Sequence, residues 1–376
     1  SHRLTVNGQA GADTINAKQT AASSNSTLNG DAGNDVFNVL AMNGPVSIRG
    51  GADSDTVNVS NVAPRLSAGI RTVPTGTIDN INAKLTVDGG DDTGDVLNVD
   101  DSAAPTDNKT GTLTNATLGD LQLEQDIAYT GLAELHIWLG AGANTFDINS
   151  THSTQTTLYA AAGTDTVNVN DASGRLTINA EQGDDVINVR ATRPASTVVI
   201  NGHEGVDTIN VSDLSPSKPA SLTETVGSID AIDGKVEING GADTDTINVD
   251  NSADSNDRAG SLSATTLRGL GLPAGVDYTG AEDLNLWLGT GADVLFIDST
   301  HTGTTQIHGG DGNATTNERD DTIAINSIAG VTTIHGMAGN DFVEVGVDAP
   351  VRPQNSEFES PDPITGFFVR THENGL

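Results

Sequence analysis

One short motif, Gly-x-Asp-x-Φ-Asn-Val with Φ apolar, returns along this chain about every twenty residues. It stands at Gly11–Ala17, Gly33–Val39, Gly163–Val169, Gly183–Val189, Gly205–Val211 and Gly339–Val345, and in altered form around Asp55 and Asp245. Counted on the motif Asp, replaced once by Asn144, the spacings run 22, 20, 40, 49, 21, 20, 22, 38, 48, 28 and 20. A gap near 40 followed by one near 49 occurs twice in that order, so the whole set repeats after about 150 residues. A fixed short period marks a solenoid, whose units contact only their neighbours and cannot bury a core alone. The expected fold is therefore all-β: a parallel β-solenoid with coils of about 20–22 residues and a superrepeat of about 150.

Composition agrees with a narrow core. Only 3% of the 376 residues are aromatic, 43 are glycine, and the hydrophobic 35% is largely Val, Ile and Ala. Small β-branched side chains fill a thin solenoid and would leave a wide globular core empty. The chain carries 51 Asp and Glu against 17 Lys and Arg, a formal charge of −34, which argues against nucleic acid and anionic membranes as partners. So much carboxylate calls for cations or a salty exterior. There is no cysteine, so disulfides and thiol chemistry are ruled out. No apolar run approaches the ~18 residues of a membrane span, so membrane insertion is not expected. An extracellular or cell-surface location is expected. Ser1-His2-Arg3-Leu4 carries no signal-peptide core, which suggests a mature or excised piece.

Within each unit a short alternating segment precedes the motif, as in Leu4-Thr5-Val6, Val46-Ser47-Ile48, Leu85-Thr86-Val87, Leu176-Thr177-Ile178 and Val236-Glu237-Ile238. Alternation at period two reads as strand. The Gly and Asp that follow suit a turn with positive φ, and Thr56-Val57-Asn58-Val59 and its equivalents alternate again. One coil is thus strand, turn, strand and polar return. Roughly sixteen coils would give a rod on the order of 80 Å long.

Around the long gaps, Tyr129-Thr130-Gly131 and Leu135-His136-Ile137-Trp138-Leu139-Gly140 return as Tyr278-Thr279-Gly280 and Leu284-Asn285-Leu286-Trp287-Leu288-Gly289. The expected organisation is superrepeats over 1–153 and 154–305, a partial third over 306–345, and a tail over 346–376. The insertions near 101–130 and 251–279 are expected as loops or side hairpins on one edge. The tail has four prolines together with Phe358, Phe367 and Phe368, and reads as a cap, linker or docking arm.

The turn Gly30-Asp31-Ala32-Gly33-Asn34-Asp35-Val36-Phe37-Asn38 closely resembles the haemolysin-type calcium-binding nonapeptide of repeats-in-toxin proteins, GGxGxDxUx. Gly8–Asn16, Gly202–Asn210 and Gly336–Glu344 fit the same frame without its second Gly, while the turns at Gly50 and Gly240 place Asp53 and Asp243 where the later Gly belongs. The resemblance implies Ca²⁺ held between coils by turn carbonyls and the sixth-position Asp. The implied ligands are Asp13, Asp35, Asp55, Asp95, Asp165, Asp185, Asp207, Asp245, Asp293, Asp321 and Asp341. That family stacks two nonapeptides per coil and this chain has at most one, so a single row of ions on one side is expected.

Electrostatics points to cations independently of the resemblance. Carboxylates on successive coils lie ~5 Å apart and repel by ~3 kcal/mol per pair at an effective dielectric of 20. No basic residue lies between a motif Gly and the end of its strand. Hard oxygen ligands without thiol or imidazole favour Ca²⁺. The alternative is that these Asp and Asn side chains hydrogen-bond their own turns and stay solvated.

The alternation of the motif strand sends Thr and Asn outward, as in Thr14/Asn16, Thr56/Asn58, Thr166/Asn168, Thr208/Asn210 and Thr246/Asn248. Flat Thr ladders resemble ice-binding solenoids, although Val36, Val186 and Phe342 interrupt the column. His152/His301 and Trp138/Trp287 obey the superrepeat, which favours surface histidines and apolar Trp caps over a catalytic or sugar-binding site. Sequons at Asn25, Asn58, Asn108, Asn115, Asn149, Asn210 and Asn313 are about as many as this composition produces by chance. No enzymatic activity is expected. The function expected is a structural β-solenoid of a fibre or adhesin stalk, similar to large repetitive bacterial surface proteins. It would be calcium-stabilised, would assemble with itself head to tail and could contact surface glycans. The alternatives are a carbohydrate- or ice-binding module or an S-layer-type lattice protein.

Overall fold

The computed structural model describes residues 2–63, 76–90, 92–104, 108–215, 226–310, 320–337 and 339–346. Among these the chain forms thirty strands and no α-helix, arranged as two fifteen-stranded, mostly parallel sheets. The fold is the expected parallel β-solenoid. Fifteen strands at ~4.8 Å make a rod on the order of 70 Å long. Of the tail expected over 346–376, everything from 347 on lies outside the described residues.

The first coils alternate between the sheets. Strands β1 (His2–Ala10), β3 (Ser24–Ala32), β5 (Val46–Ala52) and β7 (Leu85–Gly90) precede the turns and lie in the first sheet. The motif strands β2 (Thr14–Ala17), β4 (Val36–Val39), β6 (Thr56–Val59) and β8 (Val96–Asp100) lie in the second. Neighbours pair in register, so like stacks on like. Val57 sits between Phe37 and Leu97, and Ile48 between Leu28 and Val87. Alternate residues of both sheets meet in one continuous core running from Leu28 to Ile325.

Two left-handed residues shape most turns, four and two positions before the motif Asp. One has φ near +75° and is Gln9, Asp31, Ala161, Glu181 or His203; the other has φ of +115° to +140° and is Gly11, Gly33, Gly163, Gly183 or Gly205. Only glycine occupies the second conformation without strain. In the turns at Asp55 and Asp245 the order is reversed: Gly51 and Gly241 take φ +117° and +119°, and Asp53 and Asp243 take +78°. The Asp that replaces the expected later Gly is therefore the mark of a swapped turn.

The insertions are not loops on one edge. Strands β9 (Thr110–Leu113), β10 (Thr117–Asp120) and β11 (Ile127–Thr130) form an antiparallel meander inside the first sheet, with β11 parallel to β7 and β9 parallel to β13 (Thr145–Ile148). Leu113, Leu118, Leu121 and Ile127 are fully buried, so the insertion is part of the core. The second meander, β22 (Ala259–Leu262), β23 (Thr266–Gly269) and β24 (Leu272–Thr279), lies in the other sheet. This exchange follows from an odd number of strand legs per superrepeat. After the first meander the motif strands β13, β15 (Thr166–Val169), β17 (Val186–Val189), β19 (Thr208–Val211) and β21 (Thr246–Asp250) occupy the first sheet. After the second, β26 (Val294–Ile297), β28 (Thr322–Ile325) and β30 (Phe342–Val345) return to the second sheet.

The two kinds of turn residue should respond differently to mutation. Gly183→Ala is expected to destabilise by about 1–3 kcal/mol, because φ is +129° and an added Cβ would lie 1.7 Å from the Gly163 carbonyl oxygen. Glu181→Gly, at φ +77°, should change stability by less than ~0.5 kcal/mol. Urea unfolding followed by circular dichroism would measure both, and equal losses would remove this account of the turns.

Candidate functional site

The motif Asp residues form ladders through the backbone. The N–H of each donates to Oδ1 of the Asp one coil further along: Asp13 to Asp35 at 2.7 Å, Asp35 to Asp55 at 2.8 Å, and Asp55 to Asp95 at 2.8 Å. A second ladder runs from the Lys109 N–H to Asn144 and on to Asp165, Asp185, Asp207 and Asp245, with distances of 2.6–3.1 Å. It ends where the Asp245 N–H donates to Glu282 Oε2 at 2.9 Å. A third joins the Arg258 N–H to Asp293, Asp321 and Asp341 at 2.8–3.0 Å. All eleven expected residues are thus used, but not in a single row. Each turn leaves the sheet opposite its motif strand, so the second ladder lies on the other edge of the rod from the first and third.

Each carboxylate has one oxygen in the ladder and a second that is often unpartnered. Oδ2 of Asp13, Asp35, Asp55, Asp95, Asp165, Asp185, Asp207 and Asp245 is buried without a hydrogen-bond partner. Asp35, Asp55, Asp207 and Asp245 are at most 1% exposed. The glycine five residues earlier makes room: a Cβ on Gly30, Gly50 or Gly202 would lie 2.1–2.3 Å from the Oδ2 of Asp35, Asp55 or Asp207. Asp293 differs, since its Oδ2 accepts the Gly289 N–H at 3.0 Å.

Burial of this kind opposes ionisation. It pushes Asp55, Asp165, Asp245 and Asp293 up to about 6 and Asp185 and Asp321 up to about 8. Carboxylates on adjacent coils add to the effect at Asp55, Asp185, Asp245 and Asp321. Burial also raises Asp95, Asp207 and Asp341.

Asn144 shows what the second atom of a rung meets. It occupies an Asp position, accepts the Lys109 N–H through Oδ1, and donates from Nδ2 to the Gly140 and Gly142 carbonyls at 2.9 and 2.8 Å. At the matching place an Asp presents Oδ2, which cannot donate when ionised. A proton on Oδ2 or a bound cation would resolve the conflict. The donor set of a buried carboxylate oxygen beside turn carbonyls suits a hard cation such as Ca²⁺. Among the described residues, no three His, Cys, Asp or Glu side chains gather into a metal-holding group. Any cation here would therefore rely on backbone carbonyls for most of its ligands.

The Asn column departs from the outward exposure expected of it. Asn38, Asn58, Asn98, Asn188, Asn210 and Asn248 are at most 5% exposed. They bond amide to amide along the rod: Asn38 Nδ2 donates to Asn16 Oδ1 at 2.8 Å, Asn58 to Asn38 at 3.0 Å and Asn98 to Asn58 at 2.9 Å. Asn58 and Asn210, both sequon residues, are ladder members. The paired Thr residues are half-buried apart from Thr14, which is exposed.

The aromatic residues stack on one another. Trp138 lies flat on Tyr159 at 5.2 Å, and Trp287 on His308 at 5.0 Å, with His335 on the far side of His308 at 4.9 Å. The Trp residues are buried as expected of caps. His152 and His301, expected at the surface, are half-buried with their rings edge-on to Tyr129 and Tyr278. The sequence reading missed Lys109, which is 4% exposed and bound to buried Asp101 at 2.7 Å and to Asp79 at 3.4 Å. One superrepeat later Arg258 holds Asp254 at 2.6 Å and Asp230. The signal lay in the 149-residue offset between two isolated cations in acidic surroundings. The chain matches no family model and no curated protein.

The raised carboxyls set the pH dependence. A carboxyl with a higher pKa folded than unfolded stabilises fully below about 4, and that contribution is lost as pH rises through 6 to 8. His308, held down to about 4 by burial and then by His335, works the other way between about 6.5 and 4. Asp277, kept low despite burial by Lys235 and Arg268, loses its contribution only in stronger acid. In EDTA the melting temperature should therefore be higher at pH 5 than at pH 8. Asp185→Asn should raise the pH 8 value by roughly 2–4 °C, equivalent to ~1 kcal/mol, and flatten the profile. A melting temperature that climbs from pH 5 to pH 8 without divalent ions would contradict the ladder electrostatics.

Proposed function

We infer that the chain is a structural rod, a segment or subunit of an extracellular surface fibre or adhesin stalk, whose Asp ladders are tightened by bound calcium. The observation that carries this reading is the set of buried, unpartnered Oδ2 atoms in the first two ladders. Side chains that would be expensive in a simple core recur coil after coil, in turns that resemble calcium-binding nonapeptides. The strongly acidic composition and the lack of cysteine support an exterior location. Self-association and contact with surface glycans belong to the same reading.

An enzymatic role has little support. Tyr129 with His152 and Tyr278 with His301 are the same arrangement one superrepeat apart, as expected of architecture. The groove over Glu237, Thr265, Asp277 and Thr279 has its carboxylates already held by Lys235 and Arg268. Covered ring faces weaken the glycan-platform alternative, and buried Asn residues weaken the ice-binding one.

Calcium should bind the folded chain and stabilise it by RT ln(1 + [L]/Kd), ~2.7 kcal/mol per site at a hundredfold excess over Kd. Thermal melts in EDTA and in millimolar Ca²⁺ at pH 7.5 test this. The expected result is a higher melting temperature with calcium and a smaller increment in Asp35→Asn. Superimposable curves would remove calcium from the account.

A further inference from the structure

Lys109 is the one buried lysine among the described residues, 4% exposed at the entry to the first meander. Its Nζ lies 2.7 Å from Oδ2 of Asp101, which follows directly on β8 and is 1% exposed. Oδ1 of the same carboxyl accepts the Ile78 N–H at 3.2 Å. Asp79 accepts from Nζ through its own Oδ1 at 3.4 Å and is half-exposed, so it connects the buried pair to solvent. An ion pair at this depth is costly, because both charges have left water. Burial outweighs the neighbouring ammonium and raises the Asp101 carboxyl above its ordinary value. The neutral form of the pair is an amine facing a carboxylic acid, the two reactants of an amide bond.

The second superrepeat keeps the scaffold without the reactants. Asn251 follows Asp250 as Asp101 follows Asp100, and its Oδ1 accepts the Ile229 N–H at 3.1 Å. Arg258 stands 149 residues after Lys109 and holds Asp254 instead. A guanidinium keeps its charge and is no nucleophile. Asn251 meanwhile turns its Nδ2 to the Leu270 carbonyl and to Asp254. Both cations neutralise buried acid, but of the two sites only the first sets an amine against a carboxyl.

We propose that Lys109 and Asp101 condense into an intramolecular amide, a covalent staple between the end of β8 and the start of β9. A proton passes from Nζ to Oδ2 within the pair, leaving a neutral amine and acid. The Nζ lone pair attacks Cγ, while the Ile78 N–H stabilises the charge developing on Oδ1. Asp79 takes the second proton from Nζ and delivers it to the departing Oδ2. The Nζ–Cγ bond forms, the Cγ–Oδ2 bond breaks, and one water leaves; no oxidant or cofactor is needed. The product keeps Oδ1 on the Ile78 N–H and leaves its own N–H facing Asp79, so its polar atoms stay satisfied and both buried charges are gone. A chain without cysteine has no disulfide with which to fasten this junction.

Denaturing mass spectrometry of the full chain tests the staple. The expected mass is one water below that of the sequence, and trypsin should no longer cut after Lys109. No other Lys or Arg lies between Lys84 and Arg175, so the digest should hold a fragment of residues 85–175, lighter by one water. Lys109→Arg keeps a cation beside Asp101 and should restore the full mass. Asp79→Asn should leave part of the chain at full mass, and complete conversion there would strike Asp79 from the mechanism. A wild-type chain of full mass that is cut after Lys109 would overturn the proposal. So would a water loss that survives in Lys109→Arg, because it would place the loss elsewhere in the chain.

Discussion

Everything in this rod follows from stacking identical turns in register at the spacing of adjacent strands. The backbone N–H of one motif residue can then reach the carboxylate of the next, as Asp35 reaches Asp55 at 2.8 Å. The same closeness removes the side chain from Gly50, whose Cβ would meet both Asp55 Oδ2 and the Gly89 carbonyl oxygen. It also places like beside like along every column. For Val57 and Leu97 that is favourable packing; for Asn38 and Asn58 it is an amide ladder. For Asp it is repulsion and desolvation, relieved by a proton or a cation. The rod's most regular hydrogen bond and its most costly burial are therefore made by the same residue.

The meanders impose a second constraint. A solenoid coil visits each sheet once, so an inserted group of strands must leave the next strand parallel to the rest. Three antiparallel strands do this, because β11 and β9 both run parallel to the neighbouring β7 and β13, with β10 reversed between them. The insertion changes which sheet receives the next motif strand, and with it the edge on which the carboxylate ladder runs. Placing the first meander in one sheet and the second in the other gives both sheets the same number of strands. Lys109 and Arg258 stand at the entry to the two meanders, and each neutralises buried acid there.

Much of the candidate site was legible before any coordinates. The spacing of Asp13, Asp35 and Asp55 located the turns, and all eleven Asp positions belong to ladders. Exposure was not legible. Alternation sends Asn58 to the face opposite Val57 and Val59, yet Asn58 is 2% exposed, because the amides of adjacent coils cover it from both sides. Two-residue periodicity reports which face a residue lies on, not what lies above it. His152 was misplaced for the same reason, since its contact with Tyr129 joins residues far apart in the chain.

The sequence by itself determined the repeat, the strand-turn-strand coil, the superrepeat and the identity of the ladder residues. These are local matters, set by period-two alternation, by glycine's tolerance of φ near +120° and by recurrence at fixed spacing. Only the tertiary structure decided that the insertions are core strands and that the ladder changes edges twice. Those outcomes depend on how many times the chain crosses between sheets and on which sheet accepts each meander. That choice is made by pairing between strands distant in sequence, and no local pattern of residues records it.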